Sequence, residues 1–210
     1  MSVTEAADRK RVLAGLGVAS VVVALGGIFV AAALAPWFSP FLNALSDLGR
    51  VGTPTAPVFN GALMVGGALG AGFVVAVWAE TENPVHAGGL VLLVLAMVCM
   101  ALVGVFPLPS TMHFVVAPAF FLFATLGVFV FAAGDFVGTG GFRRGGRPAR
   151  GGSLVILAVT HVVSWVWWVL LGWPGPGVAV PELVGSAMLA VWALWVAADL
   201  WPGDPDVSPL

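Results

Sequence analysis

Charge is scarce in this sequence. Of 210 residues only 9% are Asp, Glu, Lys or Arg, while 60% are hydrophobic; a water-soluble domain carries about 25% charged residues to cover its surface. With a mean hydropathy of +1.06, the chain does not read as a domain solvated by water. A net charge of −2 excludes the concentrated basic surface that nucleic acid requires, so no nucleic-acid partner is expected. A single cysteine, Cys99, rules out an intrachain disulfide and argues against a thiolate metal site. Lying inside an apolar run, it reads as a small buried residue. The three histidines have no His-x-x-x-His spacing, so nothing selects a metal, and the sequence names no cofactor.

What the sequence has instead is long apolar runs. A bilayer core of about 30 Å needs roughly 20 apolar residues in a helix, because no backbone group can be left unpaired in lipid. Six runs qualify, at about 12–35, 58–79, 88–106, 112–133, 154–172 and 181–198. The expected fold is therefore all-α: a polytopic six-transmembrane-helix bundle forming one domain over 12–200. A short tail, 1–11, precedes it and an acidic tail, 201–210 with Asp204 and Asp206, follows. Glycine, proline and charge mark the connections, most plainly over 138–152. The first run follows Arg9, Lys10 and Arg11, and Ala33-Leu34-Ala35 mimics a signal-peptide cleavage site. The run is too long for a signal peptide, and Pro36 follows the would-be scissile bond, so it reads as a retained helix.

Orientation follows from the basic residues. Arg9, Lys10, Arg11, Arg143, Arg144, Arg147 and Arg150 fall on one side and Arg50 alone on the other, which places both termini in the cytoplasm of a cell-membrane protein. Trp37 and Trp173 then end helices at the outer interface, and Trp78 and Trp201 at the inner one. Gly66 and Gly70, with Gly61 and Gly67 nearby, have the spacing of a close helix contact. No charge lies deep in any run, which counts against an ion pathway.

On this topology three polar segments, 38–60, 104–118 and 172–186, gather at the outer face. The first reads as a short interfacial helix with Ser39 as N-cap, Pro40 at its first position and Gly49 as its stop. Asp47 would occupy its last turn, where the helix dipole disfavours an anion, so it is explained either by a surface pair with Arg50 or by function. His113 opens the fourth helix behind Ser110 and Thr111, either able to cap it. A neutral imidazole there has the form of a metal ligand or general base, or of an interfacial hydrogen-bonding group. Pro118 follows and is expected to bend the helix. Glu182 begins the sixth helix, where an acid is favoured by the dipole alone. His161 lies near the midplane with Thr160 and Ser164 beside it and needs a partner within the bundle. His86, in the connection before the third helix, reads as solvated. The candidate site is thus Asp47, His113 and Glu182 as acid/base groups, with Asn43, Ser46, Asn60 and His161 as binding groups.

The strings 43-NALSDLG-49, 57-PVFNGALMVGG-67, 103-VGVFPLPSTMH-113 and Pro181-Glu182-Leu183 resemble, in order and spacing, the prokaryotic membrane family called domain of unknown function 998. The resemblance covers nearly the whole chain. It implies that Ser46, Asp47, Leu48 and Gly49, then Asn60, His113 and Glu182, are the family's motif positions, and that Asp47, His113 and Glu182 act together. Leu183 stands where that family often carries Arg. The resemblance supplies no reaction. Three functions stay open: an outward polar pocket binding or processing a lipid or small molecule, a small transporter or channel, and a structural or partner-binding subunit. Whether the protein is an enzyme, and its oligomeric state, are not decided by the residues.

Overall fold

A computed structural model describes residues 3–137, 147–172 and 174–201. Arg143, Arg144, Trp173, Asp204 and Asp206 lie outside the described residues. The helices are α1 (Val3–Ala33), α2 (Ala56–Ala79), α3 (Pro84–Val105), α4 (His113–Val137), α5 (Pro148–Leu171) and α6 (Ala179–Leu200), and a one-turn 3-10 segment spans Leu45–Gly49. All six α-helices are long and apolar enough to cross a membrane. The protein is an all-helical multi-pass bundle whose outer side chains meet lipid.

Each helix packs on its neighbour in sequence, α6 closes the ring against α1, and α4 also touches α6. Trp192 of α6 fills the centre, edge-on to Phe73 of α2 and Phe131 of α4 with ring centroids 6.0 and 5.6 Å away. Small residues set the helix separations, since a hydrocarbon solvent rewards close packing rather than burial. A Cβ on Gly67 would stand 2.8 Å from backbone atoms of Met97 and Ala101 in α3, and one on Gly66 would meet Ala24 of α1. Gly70 would likewise collide with Met97 and Ser20, whereas Gly61 faces open space. The suggested glycine contact is therefore made by Gly66, Gly67 and Gly70 and not by Gly61.

The helix α5 is the exception to tight packing. Its buried residues, Arg150, Gly151, Leu154, Ala158 and His161, all belong to its first two-thirds. Beyond His161 its side chains are exposed or only partly covered, so its later half leans on little protein.

Two expectations are corrected at the chain level. Residues 39–49 do not form one interfacial helix from Ser39. Asn43 accepts the Ser39 N–H at 2.9 Å, closing a separate turn, and extended backbone at Ala44 (φ −86°, ψ 153°) interrupts the chain before the 3-10 segment begins. Asp47 accordingly sits in a first turn rather than a last one and accepts the Ala44 N–H at 3.0 Å; the dipole favours it there. His86 is not a solvated loop residue either. It lies in the first turn of α3, 4% exposed, because Asn83 caps that helix through Val85 N–H and His86 N–H and draws the ring inward.

Candidate functional site

The end of the bundle that carries Arg50 is assembled by three connections that bond to one another. Val51 N–H donates to the Leu108 carbonyl at 2.9 Å, joining the α1–α2 connection to the α3–α4 connection. Gly177 N–H and Ala179 N–H donate to the carbonyls of Phe41 and Asn43, each at 3.0 Å, joining the α5–α6 connection to the first. Thr55 Oγ1–H donates to the Leu48 carbonyl at 2.7 Å and Asn60 Nδ2–H to the Gly49 carbonyl at 2.8 Å, which fastens the far end of the 3-10 segment to α2.

These bonds bring Asp47 and Glu182 onto one short stretch of backbone. Glu182 Oε2 accepts the Leu45 N–H at 2.5 Å, next to the Ala44 N–H that Asp47 accepts. Two orphan donors of one helical start are thus met by acids from distant parts of the chain. Arg50 Nη2–H donates to Asp47 Oδ1 at 2.7 Å and Asn43 Nδ2 approaches Oδ2 at 3.5 Å. Burial tends to raise the pKa of Asp47, but the Arg50 guanidinium, the Ala44 N–H and the Asn43 amide outweigh it and hold the carboxyl below its ordinary value of 3.8.

His113 opens α4 through the backbone, its N–H donating to the Ser110 carbonyl at 3.0 Å; the expected cap by a Ser110 or Thr111 side chain is replaced by this turn. The ring is 4% exposed. Its Nδ1 lies 2.9 Å from the Phe106 carbonyl, an acceptor only, so Nδ1 carries the proton and donates. The lone pair of the neutral ring is then on Nε2.

His161 is bonded at both nitrogens. Trp165 Nε1–H, which can only donate, meets Nε2 at 2.9 Å. The Thr125 hydroxyl donates to the Phe121 carbonyl at 2.7 Å, so its oxygen accepts from His161 Nδ1–H, also at 2.7 Å. The ring is thereby held as the Nδ1–H tautomer and in turn holds the Trp165 indole. The expected neighbours Thr160 and Ser164 bond instead to backbone, at Ile156 and His161.

A cleft of about 760 Å³ runs between α4 and α5 and joins these groups. At one end it is lined by Ser46, Asp47, Arg50, His113 and Glu182; further along it is walled by Phe121, Leu122 and Leu126 of α4 and by His161, Trp165 and Val166 of α5. Leu122, Leu126 and Val166 are among the exposed apolar side chains, so the cleft opens sideways on the face that meets lipid. A smaller chamber of about 80 Å³ inside the bundle shares Ser46, Ala117, Phe121 and Glu182 with it. Of the seven candidate residues, Ser46, Asp47, His113, His161 and Glu182 line the cleft. Asn43 and Asn60 do not; they brace the backbone on which Asp47 stands.

The order of the motifs that carry these groups now has a counterpart. A family model described as "Protein of unknown function (DUF998)" matches residues 18–199. The chain belongs to this family. No curated protein and no solved structure matches it. The residues through which the sequence resembles DUF998, from Ser46 to Gly49 with Asn60, His113 and Glu182, stand at the Arg50 end of the bundle.

The opposite end of this DUF998 protein carries a cluster that sequence reasoning missed. Arg150, 4% exposed, donates from Nε and Nη2 to the two oxygens of Asp135 at 2.8 and 2.5 Å and pairs through Nη1 with Asp199. Arg147 also pairs with Asp199. His86 Nε2 lies 3.1 Å from Asp135 Oδ1, and its ring stacks on Phe131 with centroids 4.4 Å apart. Four helices, α3 to α6, are joined here. The available signal was Asp135 and Asp199 standing at the ends of two apolar runs with Arg147 and Arg150 at the start of another; the arginines read only as topological markers. No group of three or more His, Cys, Asp or Glu able to hold a metal occurs among the described residues.

Proposed function

We propose that the protein binds an amphiphile, a lipid or lipid-like small molecule, in the cleft between α4 and α5. The observation that carries this reading is the cleft's polarity: titratable and hydroxyl groups at one end, aromatic and aliphatic walls along the rest, and a lateral opening toward the bilayer. Its volume falls in the range of about 300–1,000 Å³ usual for ligand sites, which are mostly apolar with a few convergent polar groups. An amphiphile entering from the membrane would bring its head to Asp47, His113 and Glu182 and lay its chain along Phe121, Leu122 and Val166. The half of α5 beyond His161, which buries little against its neighbours, is the wall such a molecule would displace or line.

The positive-inside asymmetry puts this end on the extracytoplasmic side of the cell membrane and both tails in the cytoplasm. Asp47 and Glu182 meet on adjacent amides and His113 lines the same cleft, which supports a shared role for the three. Binding, not a reaction, is what the arrangement argues for. His161, satisfied at both nitrogens, serves to set the Trp165 wall.

The test is native mass spectrometry of the protein released from detergent. Wild type should retain a bound amphiphile. Ala117→Trp, which fills the cleft at a residue shared with the inner chamber, should lose it, and Val169→Trp, on an exposed position outside the cleft, should not. Equal retention in Ala117→Trp would remove the cleft as the binding place.

A further inference from the structure

The polar end of the cleft has an imbalance that specifies its ligand. Its hydrogen-bond donors are mostly spent within the protein. His113 Nδ1–H is given to Phe106, the Trp165 indole N–H to His161, the Leu45 N–H to Glu182 and the Ala44 N–H to Asp47. Arg50, at the rim, is neutralised by Asp47 at 2.7 Å. The groups left over are of another kind. Glu182 Oε1, His113 Nε2 and the Ser46 hydroxyl have no hydrogen-bond partner among the described residues. The three residues are largely buried, but these atoms are not fully enclosed and face the open space of the cleft. All three residues line the cleft. His113 Nε2 is an acceptor, the Ser46 hydroxyl both donates and accepts, and Glu182 Oε1 accepts when its carboxyl is ionised and donates when it is protonated.

We infer that the cleft selects amphiphiles whose head is an uncharged hydroxyl group, such as a monoacylglycerol or a long-chain alcohol, over those headed by a phosphate. This rests on the amphiphile reading above. A head that fills the cleft displaces water from these atoms, and an acceptor then left without a donor costs more than the bond it would make is worth. The head must therefore bring an O–H to His113 and a group able to donate or accept to Glu182. A phosphate brings oxygens that only accept, which leaves His113 Nε2 without a donor, and a negative charge that meets the Asp47 carboxylate beside a guanidinium Asp47 already pairs. A quaternary ammonium brings no N–H at all. A hydroxyl suits Glu182 whether its carboxyl is ionised or protonated, because the hydroxyl both donates and accepts, and it can also exchange a bond with Ser46.

The experiment is a native mass-spectrometry titration of the full chain with three probes of equal chain length: a monoacylglycerol, an alkyl phosphate and an alkyltrimethylammonium. The monoacylglycerol should bind about tenfold more tightly than either charged probe, the effect of one well-made hydrogen bond together with an avoided repulsion. His113→Phe and Ser46→Ala should each remove most of that preference by weakening the monoacylglycerol more than the charged probes, a difference that loss of folding would not produce. An alkyl phosphate bound as tightly as the monoacylglycerol in wild type, yet lost in Ala117→Trp, would overturn the headgroup inference and leave the cleft as the seat of binding. Binding of all three probes that Ala117→Trp does not change would overturn the cleft reading itself, and the inference with it.

Discussion

The carboxylate of Glu182, in the first turn of α6, accepts the backbone N–H of Leu45 at 2.5 Å. That bond ties the last helix to the connection after the first and sets the floor of the cleft. Both residues are buried, so the amide has no water to turn to if the carboxylate is removed. Glu182→Leu should therefore lower stability by about 1–3 kcal/mol, the usual penalty for an unpaired buried amide. Glu182→Gln keeps an acceptor oxygen and should lose less than half as much. Thermal unfolding in one detergent compares the two; equal losses would mean that the packing of the side chain matters and its hydrogen bond does not.

At the opposite end, Arg150 is held by Asp135 and Asp199 with almost no contact with solvent. Removing one partner of a buried pair leaves an uncompensated charge, so Arg150→Met or Asp135→Leu alone should cost about 3–5 kcal/mol. The double variant should cost less than either single one, because the remaining charge goes with its partner. Chemical unfolding of the four proteins measures the cycle, and additive losses would contradict the coupling.

Helix contacts made through glycine predict a third difference. Gly67→Val should lower stability by about 1–3 kcal/mol, because a Cβ there stands 2.8 Å from the backbone of α3. Gly61→Val, six residues earlier on the same helix but facing open space, should cost little. Comparable melting temperatures for the two variants would show that α2 and α3 do not approach at Gly67.

The pH dependence follows from Asp47, the titratable residue of the site that lies outside the membrane-spanning helices. Its carboxyl is held below 3.8 by Arg50, Ala44 and Asn43 against the opposing effect of burial. A group depressed in the folded state contributes stability above its unfolded value and loses it as pH falls through the folded one. The Leu45–Gly49 segment should therefore loosen only below about pH 4, and Asp47→Asn should remove the acid transition. Hydrogen exchange of the Ala44 amide against pH reads this directly; protection that fades near neutral pH in wild type would contradict it.

The bundle was readable from the sequence because lipid imposes one rule on every span: a run long enough to cross and no backbone group left over. The family was readable because the strings that resemble it stand in the connections or at the helix starts beside them, where side chains bond to backbone. Pairings across the bundle were not. Asp47 could not be placed in a first turn without knowing that Ala44 is extended. His86, three residues after a capping Asn83, gives no local sign of the Asp135 that receives it. The cleft itself depends on how far α5 departs from α4, and no single helix encodes a separation. Ser46, Asp47, His113, His161 and Glu182 stand out as polar residues in an apolar chain, whereas Trp165, Phe121 and Leu122, which line the same cleft, look like any other lipid-facing residues.

The claim that the cleft between α4 and α5 holds an amphiphile is tested most directly by photo-crosslinking. A monoacylglycerol with a diazirine midway along its chain is irradiated with the protein in a bilayer, and the labelled residues are mapped by peptide mass spectrometry. Labels concentrated on 118–126 of α4 and 161–166 of α5, displaced by excess unlabelled probe, are the predicted result. Labels spread evenly over exposed lipid-facing positions such as Val22, Val91 and Val169, and undiminished by competitor, would contradict it.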